Sequence, residues 1–224
     1  METYIIKSQK ELNKFKDDYG YHIRGNAEFK YSAEIKGRLL VDGYLEVKSG
    51  EYIEADGYIE AGWFIKAGWS IKAGRSIEAG WDIKAGGSIE AGGSIKAGRS
   101  IEAGRSIEAG WDIEAGGSIK AGGYIEAGRS IKAGDFIEAG YGIVSMLQIT
   151  CKSFLKAGTR IFAGICSWRN ITDEEKTITC GKLEGGKIEY GILKETGLPE
   201  EKPQGKRIKI RIDGGQIVEG EIVD

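Results

Sequence analysis

Few side chains in this sequence are equipped for covalent or acid–base chemistry. His22 is the only imidazole, and Cys151, Cys166 and Cys180 are the only thiols. A histidine can act as a general base or a metal ligand. One His and three scattered Cys without CxxC spacing, however, do not make a zinc set. Glycine is abundant, yet its spacing follows a repeat rather than a phosphate-cradling loop. A lone His just ahead of the repeats reads as structural, so no catalytic, cofactor-binding or metal-binding residue is expected. Residue types suited to gripping another protein are plentiful instead. Tyr58, Trp63, Phe64, Trp69, Arg75, Trp81, Arg99, Arg105, Trp111 and Arg129 are the protein-binding candidates, because exposed Trp, Tyr and Arg dominate binding hot spots.

The spacing of these candidates belongs to a larger pattern. Every sixth residue from Ile53 to Ile137 is isoleucine, in units of the form Gly93-Ser94-Ile95-Lys96-Ala97-Gly98. Weaker copies read Ile23, Phe29, Ile35, Val41 and Val47 before this run, and Ile143, Ile149, Leu155 and Ile161 after it. Six is not a multiple of 3.6, so an α-helix would scatter the isoleucines around its surface. Regular glycine would break a long strand. Short strands interrupted by turns fit both facts, with Ile and the following Ala inward and Ser and Glu/Lys outward. Coiling the chain stacks these strands in parallel around an Ile/Ala interior. Three hexads per coil make roughly 18 residues; at about 4.8 Å per rung the prism is on the order of 35 to 40 Å long.

This run resembles the hexapeptide-repeat parallel β-helix, a triangular solenoid. The usual left-handed unit places its small inward residue two before the aliphatic one, whereas here Ala follows by two. The right-handed triangular coil of bactofilin-like filament proteins is also compatible. The hexapeptide resemblance implies an acyltransferase as one reading, which would need His22 in a cleft between subunits; residues 53–140 contain no loop to build one.

On the 18-residue coil, Trp63, Trp81 and Arg99 share one corner, and Arg75 lies two rungs below Trp111 on another. Such residues either form an interface or stack as a ladder covering the corner. Outward Glu and Lys mostly alternate in sign between rungs, as expected of a solvated face. Serines such as Ser70, Ser76, Ser88 and Ser94 form outward rows. Rows of hydroxyls suggest ice binding, but Thr is absent from them and Trp and Arg break their flatness.

At the ends, Ser8-Gln9-Lys10-Glu11 matches a capping box, predicting a helix to about Asp18 that stops at Gly20 and covers one end of the coil. The division expected is 1–22 strand and capping helix, 23–163 β-helix, and 164–224 a small antiparallel β region with Pro199 to Gly205 a loop. The 36 Gly against 2 Pro argue for repeated sharp turns rather than disorder. With 32 basic and 34 acidic residues, no electrostatic drive toward nucleic acid or membrane is expected. The start Met1-Glu2-Thr3-Tyr4-Ile5-Ile6-Lys7 lacks a long apolar stretch, so neither signal peptide nor membrane span is expected. With reduced thiols this points to the cytoplasm. The function expected is a non-enzymatic protein-binding module, an inhibitor or adaptor of a nucleic-acid or defence enzyme. A self-assembling, bactofilin-like scaffold is the alternative, and a homo-oligomer is compatible with either.

Overall fold

The computed structural model describes residues 1–167 and 169–198, and the backbone of the strands Arg207–Arg211 and Ile217–Glu221. The chain is a parallel β-helix with three faces. The first face begins with Thr3–Ile6, Asn26–Phe29 and Leu45–Val47, and continues through Ile65–Ala67 up to Ile137–Ala139. The second begins with Ala33–Ile35 and Ile53–Ala55 and rises to Ile143–Ser145. The third begins with Gly20–Ile23 and Arg38–Val41 and rises to Ile149–Thr150. Within the regular run, Ile83 pairs with Ile101, 18 residues on.

The packing follows the six-residue period. Each Ile from Ile53 to Ile161 in the repeat is 0% exposed, and the residue two later, Ala except at Ser145 and Cys151, is also buried. Burial of an Ile side chain is worth about 1.5–3 kcal/mol, so the stacked column drives the coil. The glycine after each Ala has a different reason from the sharp turn expected of it. None of the repeat glycines has positive φ. A Cβ at Gly98 would instead overlap the carbonyl oxygen of Gly80 on the rung below. Close approach of stacked corners selects glycine here.

Three features depart from the sequence reading. Ile35, Val41 and Val47 pair with Ala55, Ala61 and Ala67, not with the isoleucines, and Ala33, Leu39 and Leu45 occupy the Ile column instead. The shift arises at one corner. Leu45 meets Ile65, 20 residues on, because the turn between Val47 and Ile53 is two residues longer and passes through Gly50 at φ +84°.

The helix is shorter than expected. It covers Gln9–Leu12, capped by Ser8, whose side chain accepts from Glu11 N; a 3-10 turn Asn13–Phe15 follows. Lys16–Asp17 then turns back antiparallel onto Gly20–Ile23. Asp17 fixes this turn by accepting from Tyr19 N at 2.8 Å and from the Arg38 guanidinium at 2.8 Å, which holds its carboxyl below the usual range. The helix still closes the N-terminal end, since Leu12 is fully buried in the core.

The chain beyond 163 does not become antiparallel at once. Phe154–Ala163 bends around a corner to serve two faces, and Lys182–Tyr190 lies parallel on it. Thr177–Cys180 and Ile192–Glu195 extend the third face in parallel. Gly185-Gly186, a pair that often marks a turn, lies inside Lys182–Tyr190, with Gly186 at φ +94°. The coil therefore runs from Thr3 to Glu195. Arg207–Arg211 and Ile217–Glu221 do pair antiparallel; the expected loop Pro199 to Gly205 lies outside the described residues.

Candidate interaction surfaces

The residue two before each Ile begins a corner, and backbone hydrogen bonds stack the corners rung on rung. Trp81 N donates to Trp63 O at 2.7 Å and Arg99 N to Trp81 O at 2.8 Å, putting these three on the corner before the first face. Trp69, Gly87 and Arg105 are linked likewise before the second face, and Arg75, Gly93, Trp111 and Arg129 before the third. Tyr58 immediately precedes the third-face strand Ile59–Ala61 and is partly buried. Phe64 immediately precedes the first-face strand Ile65–Ala67. The candidates thus fall on three edges of the prism, not on one continuous surface.

Much of the aromatic area is spent within the protein. Trp63 and Trp81 stack at 5.7 Å with planes 9° apart, and Phe64 stacks on Tyr44 at 4.9 Å. Arg105 covers Trp69 with its guanidinium 4.6 Å from the ring centroid. These are ladders of the kind expected, but the rings keep their edges in solvent. Trp111 is the most open Trp of the described residues at 58% exposure. Gly93 lies beneath it, and Arg129 above reaches Asp112 at 3.7 Å. Ladder pairs that the repeat pattern did not single out are Phe136–Phe154 at 4.6 Å and Tyr124–Tyr141 at 5.4 Å.

The serine rows have a structural use. Ser70 Oγ accepts from Ser88 N and Ser76 Oγ from Ser94 N, each at 3.2 Å. Asp82 and Asp112 do the same for Ser100 N and Ser130 N. At this corner position a side-chain acceptor satisfies a backbone N–H of the next rung, which accounts for Ser and Asp together.

The outward charges differ between faces. On the first face Glu138 is clasped by Lys120 at 3.0 Å and Lys156 at 3.1 Å, which hold its carboxyl below the usual range. On the second face Glu108 is stacked in register between Glu90 and Glu126, and partial burial and then these like charges push its carboxyl up. Groups with chemical reactivity are subdued. His22 Nε2 lies 2.7 Å from Asp42 Oδ1 at the N-terminal end. Burial pushes the Cys151 thiol to about 12 and raises that of Cys180. Cys151 fills the inward column above Ala133, and all three cysteines are free. Among the described residues no group of His, Cys, Asp and Glu has the arrangement of a metal site, and no helix is long and apolar enough to cross a membrane.

No protein-family model, curated protein or solved structure matches the chain. The architecture is that of a hexapeptide-repeat parallel β-helix.

Proposed function

We propose that the chain is a non-enzymatic protein-binding module that acts as an inhibitor or adaptor in the cytoplasm. The observation that carries this reading is the stacked Trp63–Trp81 edge, with the two rings 39% and 48% exposed on a corner held by backbone hydrogen bonds. Rings fixed in this way lose little entropy on docking, and partly desolvated Trp contributes heavily to interfaces. A nucleic-acid or defence enzyme is the target class proposed; the near-balanced charge gives the module itself no pull on nucleic acid. The test is a pull-down from the native host with the partner identified by mass spectrometry, repeated with Trp63→Ala plus Trp81→Ala. Loss of the partner with an unchanged β-type circular dichroism spectrum is expected. Retention of the partner by this and every other corner variant would end the reading.

A second reading, a self-assembling scaffold, is favoured by one observation. Leu193 pairs with Ile178 in an inward column, yet at the C-terminal end it is 37% exposed. An open core end invites stacking, while the buried Leu12 at the other end opposes head-to-tail growth. Sedimentation at micromolar concentration separates the readings: a single monomer or dimer species excludes the filament.

A further inference from the structure

The second face is unlike the other two in its outward row. From Lys72 upward, in rung order, it reads Lys72, Glu90, Glu108, Glu126, Val144, Phe162 and Tyr190, each register-paired with the next. Three glutamates are followed by three apolar or aromatic residues. The first face, by contrast, carries Lys84, Glu102, Lys120, Glu138 and Lys156 in register, with ion pairs Lys84–Glu102, Lys120–Glu138 and Lys156–Glu138. On the second face Lys72 turns away to Glu54 at 3.3 Å. The three glutamates are left without an ion-pair partner among the described residues.

The apolar half is widened at its margin. Tyr124 and Tyr141 stack on the corner beside it and are 51% and 54% exposed, and Tyr190 at its top is 47% exposed. Gly142 makes room for this pair, since a Cβ there would sit 3.3 Å from the Tyr124 ring. Cations do flank the top of the strip, but Arg160 and Lys187 both engage Glu189, at 3.6 and 2.9 Å. Val144 and Phe162 are half-buried within this rim of exposed tyrosines, and a contiguous apolar patch of this kind marks a place where something docks.

We infer that this half of the second face is a docking surface for a protein segment carrying a basic stretch followed by an apolar one. The inference rests on the reading of the chain as a binding module and names the partner's chemistry. Apolar residues of the segment cover Val144, Phe162 and Tyr190, and its Lys or Arg side chains lie along Glu90, Glu108 and Glu126. The row spans about 24 Å at about 4.8 Å per rung. A helix pitch of about 5.4 Å is close to that rung spacing, so a helix lying along the prism axis presents one side chain per turn to each rung. The Glu108 carboxyl is raised first by partial burial and then by Glu90 and Glu126 on the neighbouring rungs, and a cationic partner relieves the second of these. The chain's own basic strand Arg207–Arg211 is a weaker occupant, because its register already sets Arg207 against Glu221 and Lys209 against Glu219.

The probe is a fluorescein-labelled helical peptide of about 20 residues, roughly six turns, with lysine on three successive turns and leucine on the next three. Anisotropy titration against the full chain is expected to show saturable binding. Phe162→Glu, and separately Glu90→Gln with Glu108→Gln and Glu126→Gln, should each weaken it at least about tenfold, or about 1.4 kcal/mol. A peptide with the same composition but lysines and leucines interspersed should bind at least about tenfold less tightly. The Glu138→Gln variant, altered on the first face, should bind the probe like the parent. Absence of saturable binding overturns the inference, as does equal binding of the interspersed peptide. In either case the pull-down with the corner variant still decides the binding-module reading by itself. Unchanged circular dichroism of the triple glutamine variant guards against misfolding.

Discussion

The guanidinium of Arg105 lies 4.6 Å from the centroid of the Trp69 ring, although the two residues are two coils apart. Gly87 occupies the corner position between them, bonded to both through the backbone. Its lack of a side chain lets the cation reach across a whole rung. Glycine at this position is therefore a spacer between large residues, distinct from the Gly that ends each hexad.

Two substitutions test this relation by urea denaturation followed through Trp fluorescence. Arg105→Ala should cost about 0.5–1 kcal/mol, the worth of an exposed cation–π contact. Gly87→Leu should cost more, about 1–3 kcal/mol. Its Cβ alone would meet Ser70 Oγ at 2.7 Å, and its remaining atoms would part Arg105 from Trp69. An equal or smaller loss for Gly87→Leu would contradict the spacer role.

The serine rows lead to a second test, between residues that look equivalent in sequence. Ser76→Ala leaves Ser94 N–H without its acceptor at 3.2 Å, and a loss of about 1 kcal/mol is expected. Ser88 accepts from none of the described backbone N–H groups, so Ser88→Ala should stay within about 0.5 kcal/mol. Faster amide exchange confined to the corner at Ser94 would identify the cause. Equal effects of both variants would mean that the hydroxyls act in another way.

Thiol chemistry supplies a third. Cys151 and Cys180 are buried, and Cys151 is raised to about 12, so little thiolate forms at pH 8. Iodoacetamide under native conditions should modify Cys166, which is partly exposed, and spare the other two. Mass spectrometry of the digested protein reads this out, and rapid labelling of Cys151 in folded protein would argue that the upper coils open readily.

The periodic part of the fold was legible because one physical requirement, burial of Ile at every third strand position of a closed coil, is written at a fixed interval. The two extra residues in the corner between Val47 and Ile53 were not, since Ile23, Phe29, Ile35, Val41 and Val47 also step by six and hide the shift by falling in the Ala column. The last coil was hidden for a related reason. Leu183 and Leu193 continue inward columns at irregular spacing, and alternation alone does not tell a parallel rung from a hairpin. The corner candidates were placed correctly relative to one another, but pairing of their ring faces depends on the glycines between rungs. Val144 and Phe162 had a signal in plain view, as they stand where the repeat otherwise has Glu or Lys.

The fourth expectation concerns pH and sets the two faces against each other. Glu108 has its carboxyl raised above the ordinary 4.5 by burial and by Glu90 and Glu126. The folded chain therefore holds this proton more tightly than the unfolded one, and stability falls as pH rises from 4.5 through the raised value. Glu138, held down by Lys120 and Lys156, behaves oppositely: its contribution is present above 4.5 and is lost as pH falls through its lowered value. At pH 7 Glu108→Gln should raise stability by about 0.2–1 kcal/mol, the scale of a relieved like-charge cross-strand pair. Glu138→Gln should lower it by about 0–1 kcal/mol, the range for exposed ion pairs. Denaturation midpoints at pH 4 and pH 7 check both signs. The Glu108→Gln gain should shrink at the lower pH, where the parent carboxyl is itself protonated. A gain equal at both pH values would show that charge repulsion along the second face is not its source.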